Sequence, residues 1–233
     1  MKKKRFYFYC IYLVAGIALL SIAILNNPIR FQQPPAFLLN DIAGSYLYLP
    51  ACLQKSEPES QRFGFLRSSK ESGFFLTGFY QAGSHLSDGY VIKDLPGYAL
   101  LLSPFFLTGH ALAAISGYQA DGLSVPYQVS IFLGGLVYLL AGLWFLWRIL
   151  RHFFEKPVAH LTLGAIFFTT DLLWIFCYKS WIPDGTLFFI FTFGVWNLIK
   201  YHEKYRIKYA ILVGLSAGLS VLIKPAGFVF VPI

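Results

Sequence analysis

Few residues of this 233-residue chain are placed to do chemistry, and they stand out against an apolar background. Asp41 follows the first long apolar run, where a carboxylate could take a proton from a reactant held at the membrane edge. Asn40 can cap a short helix starting there, and a helix start would keep Asp41 ionised at some cost in basicity. The plain alternative is a helix-start carboxylate without chemistry. Lys93 and Asp94 open a second segment bordering apolar sequence. Lys93 could meet a phosphate as a point charge, or be a loop charge at the headgroups.

Asp171 falls about halfway through a later apolar run. An intramembrane carboxylate is costly, so it is expected to face the bundle interior or a wet cavity, with Thr169 and Thr170 as partners. Lys224 follows the last apolar run, and a snorkelling lysine is its plain explanation. Asp184, in WIPDG, reads as a turn former that would nonetheless lie on the same outer side as Asp41. His85 and Asp88, in SHLSDG, are only two potential ligands in a loop and define no metal site. Cys10, Cys52 and Cys177 offer neither zinc spacing nor a disulfide framework.

The elements that must hold these residues are apolar helices. Hydrophobic residues make up 57% of the chain and charged residues 13%, against about 25% charged in soluble domains. Residues 6–25 are an uncharged run long enough to cross hydrocarbon, preceded by Lys2, Lys3, Lys4 and Arg5. A signal peptide is the competing explanation. The run is long for one, lacks a small-x-small cleavage site and is followed by further spans. Residues 127–147, 160–178, 182–199 and a shorter 209–223 are the later spans. Residues 26–125 form a large loop with its most polar stretch at 55–73. The terminal KPAGFVFVPI is too short to cross a bilayer, so the sequence reads as cut within an element.

Charge placement orients the chain. Residues 1–5, 148–156 and 200–208 hold four, three and four Lys/Arg against only Glu155 and Glu203, while the other side holds eight Lys/Arg against nine acids. This is a positive-inside pattern with the N-terminus cytoplasmic. It fails if 97–116 crosses, so that segment is expected to lie half-buried at the outer surface. The fold class is therefore all-α: a polytopic transmembrane helix bundle with juxtamembrane helices in a large first external loop. The net charge of +8 arises from short clusters between apolar runs, which argues against nucleic-acid binding.

The order NDIAGSYLYLPACLQ, KDLPGYALLLSPFFLTGH and DGLSVPYQVSIFLGGLVYLLAGLWFLWRIL resembles the GT-C membrane glycosyltransferases. The nearer likeness is to the bacterial branch related to protein mannosyltransferases and aminoarabinose transferase. GLSAGLSVLIKPAGFVFVPI is similar to that family's Gly-rich helix ending in a Lys–Pro or Lys–Gly step. The resemblance implies transfer of a sugar from a polyprenyl-phosphate carrier to an acceptor outside the cytoplasm, at a bacterial inner membrane. It implies Asp41 as base, a divalent metal in many members, Lys93 at the donor phosphate and Lys224 at the family's basic position. With Asp94 and Asp171, these two lysines are the candidate substrate-binding residues. Tyr46, Tyr48 and Tyr80 could stack on sugar or prenyl groups, or anchor at the interface.

Two departures stand out. Relatives often carry a second acid directly after the base, where this chain has Ile42. They also place an acid just before the lysine, where it has Val91 and Ile92. Relatives are generally longer, with further spans. The competing functions are a transporter or other non-catalytic polytopic membrane protein, the transporter needing paired intramembrane charges and a broken helix at mid-depth, and an inactive truncated enzyme.

Overall fold

A computed structural model describes residues 43–53, 82–84, 90–92, 94–179 and 182–230. Seven α-helices account for most of it: α1 (Ala43–Leu53), α2 (Gly97–Ser116), α3 (Val125–Phe153), α4 (Lys156–Thr169), α5 (Leu172–Tyr178), α6 (Pro183–Lys204) and α7 (Ile207–Ile223). A 3₁₀ turn, Pro225–Phe230, follows α7. The all-α expectation holds. One departure is a short antiparallel ladder in the loop between α1 and α2: β1 (Ala82–Ser84) pairs with β2 (Tyr90–Ile92), with Gly83 opposite Val91.

Local sequence sets the helix limits. Pro126 lies in the first turn of α3, where a missing N–H costs nothing. Ahead of it, the Asp121 carboxylate accepts from the Leu123 and Ser124 amides at 2.8 and 2.9 Å, shaping the entry. Helix α2 ends at Gly117, whose φ of 73° is a left-handed conformation that glycine adopts without penalty. Inside α2, Pro104 has no N–H to give the Leu100 carbonyl. The Ser103 hydroxyl donates to that carbonyl instead, at 2.7 Å. Helix α6 starts at Pro183 and stops at Tyr205, which has a φ of 47°.

Helix α3 is the spine. Its first half pairs antiparallel with α2: Phe105 fills the space beside Gly134, Gly109 sits against the Tyr127 backbone, and the Tyr138 hydroxyl donates to the Leu101 carbonyl at 2.6 Å. Small residues let the two backbones close up, as membrane helix pairs commonly do. The second half of α3 packs along α6, with Gly142 against Phe188 and Phe145 edge-on to Phe193. Helix α7 returns antiparallel beside α6. Helix α2 meets α7 at one point, Gly97 against the Leu222 backbone. It therefore stacks beyond the end of the α6–α7 pair. The core is apolar and aromatic, with Tyr46, Tyr98, Leu102, Tyr127, Ile131 and Leu139 fully buried.

By length and composition, α2 and α3 are each apolar enough to cross a membrane, and the α4–α5 pair would make a third span. The expected spans at 182–199 and 209–223 do form helices, but neither meets that standard. Helix α6 is continuous but carries Asp184, Asn197 and Lys200 among its apolar residues, and α7 has 17 residues. The stretch 160–178, expected to be one span, is two helices bent by 63° at Thr170–Asp171. There the Thr169 and Thr170 hydroxyls donate back to the Ala165 and Ile166 carbonyls, each at 2.7 Å. Such bonds compete with the helical ladder and favour a bend. The first expected span, 6–25, lies outside the described residues.

Candidate functional site

One end of the bundle brings two of the candidate residues, Asp94 and Lys224, to Asp184, for local reasons. Pro183 starts α6, so Asp184 falls in its first turn, where a carboxylate is favoured by the helix dipole. Helix α7 ends at Ile223, and Lys224 follows as its cap. Because the two helices run antiparallel, these ends coincide. Lys224 Nζ donates to Asp184 Oδ1 at 2.6 Å, across 40 positions of sequence. The side chains are 42% and 41% exposed, so the pair is open to a third group on one side.

Two further elements close on this pair. Gly97, the first residue of α2, lies directly on the Leu222 backbone, two residues before Lys224. The fully buried Tyr98 side chain interacts with Thr186, at the start of α6. Asp94, just ahead of α2, is thereby carried to the same end. Its backbone carbonyl accepts from the Tyr48 hydroxyl of α1 at 2.8 Å. Partial burial, with the Asp94 carboxylate nearby, pushes the Tyr48 hydroxyl above its ordinary value. On the far side of α1, the Tyr46 hydroxyl donates to the Gly122 carbonyl, and Pro50 packs on Gly122.

The sequence-derived candidates sort as follows. Asp94 and Lys224 come to one end of the bundle. Lys224 is paired with an acid rather than snorkelling free, and that acid, Asp184, does more than shape a turn. Asp171 does not face the bundle interior: it is exposed at the bend, heading α5, where its carbonyl accepts from the Ile175 amide at 2.8 Å. Thr169 and Thr170 hydrogen-bond to the backbone instead of to Asp171. Tyr46 is core, fully buried against Phe106, and cannot stack on a sugar. Asp41, Lys93, Tyr80, His85 and Asp88 lie outside the described residues, Asp41 two positions before α1. Among the described residues no three His, Cys, Asp or Glu side chains gather where they could hold a metal. A metal therefore has no ligand set among the described residues.

Residues 123–233 match the dolichyl-phosphate-mannose-protein mannosyltransferase family. The match runs from the entry of α3 through α7 and the Asp184–Lys224 pair. It covers a little under half of the chain and shows that this part is similar to that family. No curated protein and no solved structure matches the chain. The matched part includes Asp171, Asp184 and Lys224, and leaves Asp41, Lys93 and Asp94 upstream of it.

Proposed function

We propose that the protein transfers a sugar from a polyprenyl-phosphate carrier to an acceptor on the non-cytoplasmic face of a bacterial inner membrane. The family match over 123–233 carries this proposal. The convergence of Asp94, Asp184 and Lys224 at one bundle end adds to it. In the reaction, an acceptor nucleophile attacks the anomeric carbon and its bond to the lipid phosphate oxygen breaks. Asp41 takes the acceptor's proton, and the polyprenyl phosphate leaves with the bonding electrons.

Lys224 suits the departing phosphate. An ammonium has three N–H donors, and Asp184 uses one. The carboxylate orients the lysine, and partial exposure leaves room for a phosphate oxygen at the remaining donors. On this account 97–116 lies on the outer side, stacked beyond the α6–α7 ends rather than beside them. The test is release of free polyprenyl phosphate from a panel of polyprenyl-phosphate-linked hexoses and pentoses, by the full-length protein in bilayers. Release from at least one donor is expected, and no release from any would refute the proposal.

A transporter is the second hypothesis, and the bend at Asp171 favours it, because broken helices form transport sites. It ranks lower because Asp171 is exposed and has no paired charge among the described residues. Sugar release that survives Asp171→Asn fits the enzyme. Substrate flux abolished by Asp171→Asn, with no sugar release in the wild type, fits the transporter.

A further inference from the structure

The bundle end opposite Asp184 and Lys224 has its own arrangement of charge. Residues 148–156 carry three Lys/Arg and 200–208 carry four, against Glu155 and Glu203. The fold brings the two stretches together: His152 Nδ1 lies 3.4 Å from Glu203 Oε1. The Trp196 ring carries two cations, with Arg148 Cζ 5.1 Å and Lys200 Nζ 4.5 Å from its centroid. Arg148 also lies 4.5 Å from the Trp144 ring. Lys200 bonds Glu203 at 2.6 Å, whereas Arg148 has no carboxylate partner among the described residues.

Complementing the helix dipole accounts for Lys204, in the last turn of α6. It does not account for Arg148, well before the end of α3, nor for two like charges gathered on one indole. Holding both there leaves an excess of positive charge and a guanidinium fork whose N–H groups suit a phosphate. The depth identifies the phosphate's source. Indoles at the ends of apolar helices sit at headgroup level, and basic notches between helices there take anionic lipid headgroups.

We propose that the basic ends of α3 and α6, around the Trp196 ring, bind the phosphate headgroup of an anionic phospholipid. Arg148 and Lys200 make the principal contacts, with Arg151 and Lys204 further out. The site is separate from the Asp184–Lys224 end and independent of the reaction proposed there.

The test is native mass spectrometry of the full-length protein released from micelles containing equal phosphatidylglycerol and phosphatidylcholine. Retention of phosphatidylglycerol is expected for the wild type. Arg148→Gln with Lys200→Gln lowers that preference about 25-fold, at about 5-fold per charge removed. Lys179→Gln, which removes the cation beside Trp174, leaves it unchanged. The charge-keeping pair Arg148→Lys with Lys200→Arg retains most of the preference, which separates charge loss from misfolding. The proposal is overturned by equal retention of the two lipids in the wild type, by an unchanged preference in the neutral pair, or by as full a loss in the charge-keeping pair. Displacement of the lipid by stoichiometric inorganic phosphate or a single-stranded oligonucleotide also overturns it.

Discussion

Replacing Gly97 with alanine probes the joint on which the candidate site depends. A Cβ there would stand 2.5 Å from the Leu222 carbonyl oxygen and 2.6 Å from the Leu222 Cβ. Ordinary contact is about 3.5–4.0 Å, so α2 must retreat from α7 by about 1 Å. The obstacle is backbone, which has no rotamer to give. Overpacking of this kind costs about 1–3 kcal/mol. Gly214 supplies the contrast: its Cβ position is open, with nothing within 4 Å. Alanine there should gain about 0.5–1 kcal/mol from helix propensity alone. Denaturant titration of the purified protein in micelles reads both. The Gly97→Ala midpoint should fall and the Gly214→Ala midpoint should hold or rise, with unchanged slopes. Gly97→Ala should also lower activity, because it moves Asp94 and Tyr98 away from Lys224. Equal midpoints for the two variants would refute the described contact between α2 and α7.

The Asp184–Lys224 pair should show a coupling of about 0.2–1 kcal/mol in a stability double-mutant cycle with Asp184→Asn and Lys224→Met, since both side chains are about two-fifths exposed. Additive effects would remove the pair from the folded state. Tyr46→Phe leaves the buried Gly122 carbonyl without its hydroxyl donor, at a cost of about 1–3 kcal/mol in denaturant titration. No measurable change would place that tyrosine elsewhere. Glu203 tests electrostatics: its hydrogen bond to Lys200 is the main reason its carboxyl lies below the ordinary range. Whatever it contributes is present above the unfolded carboxyl value and lost as pH falls through the lowered one. A carboxyl titration by NMR should give a midpoint that rises in Lys200→Gln, and a fixed midpoint would contradict the contact.

The spine helix was legible because its apolar run is long and bounded by Pro126 and Arg148. Residues 127–147 were expected and α3 runs Val125–Phe153. The bend at Thr170–Asp171 was not legible, because apolar sequence continues on both sides. Hydroxyl bonding to backbone carbonyls accompanies the bend, and composition does not reveal it. The Asp184–Lys224 pair could have been anticipated. Asp184 opens one apolar helix, Lys224 closes the next, and antiparallel neighbours bring such ends together. The turn chemistry of WIPDG places Asp184 on the outer side but hides its partner. For Tyr46 the sequence is ambiguous: tyrosine at an interface and tyrosine in a core look alike until the Gly122 carbonyl is seen to accept its hydroxyl.

The most direct measurement of the central claim is sugar transfer by Asp41→Asn, in bilayers carrying the donor that the wild type accepts. The substitution preserves size and removes the base. Transfer should fall by at least about 100-fold, the lower range for loss of a general base, while membrane insertion and the thermal midpoint stay at wild-type values. Full transfer by a correctly inserted Asp41→Asn protein would contradict the mechanism at its first step.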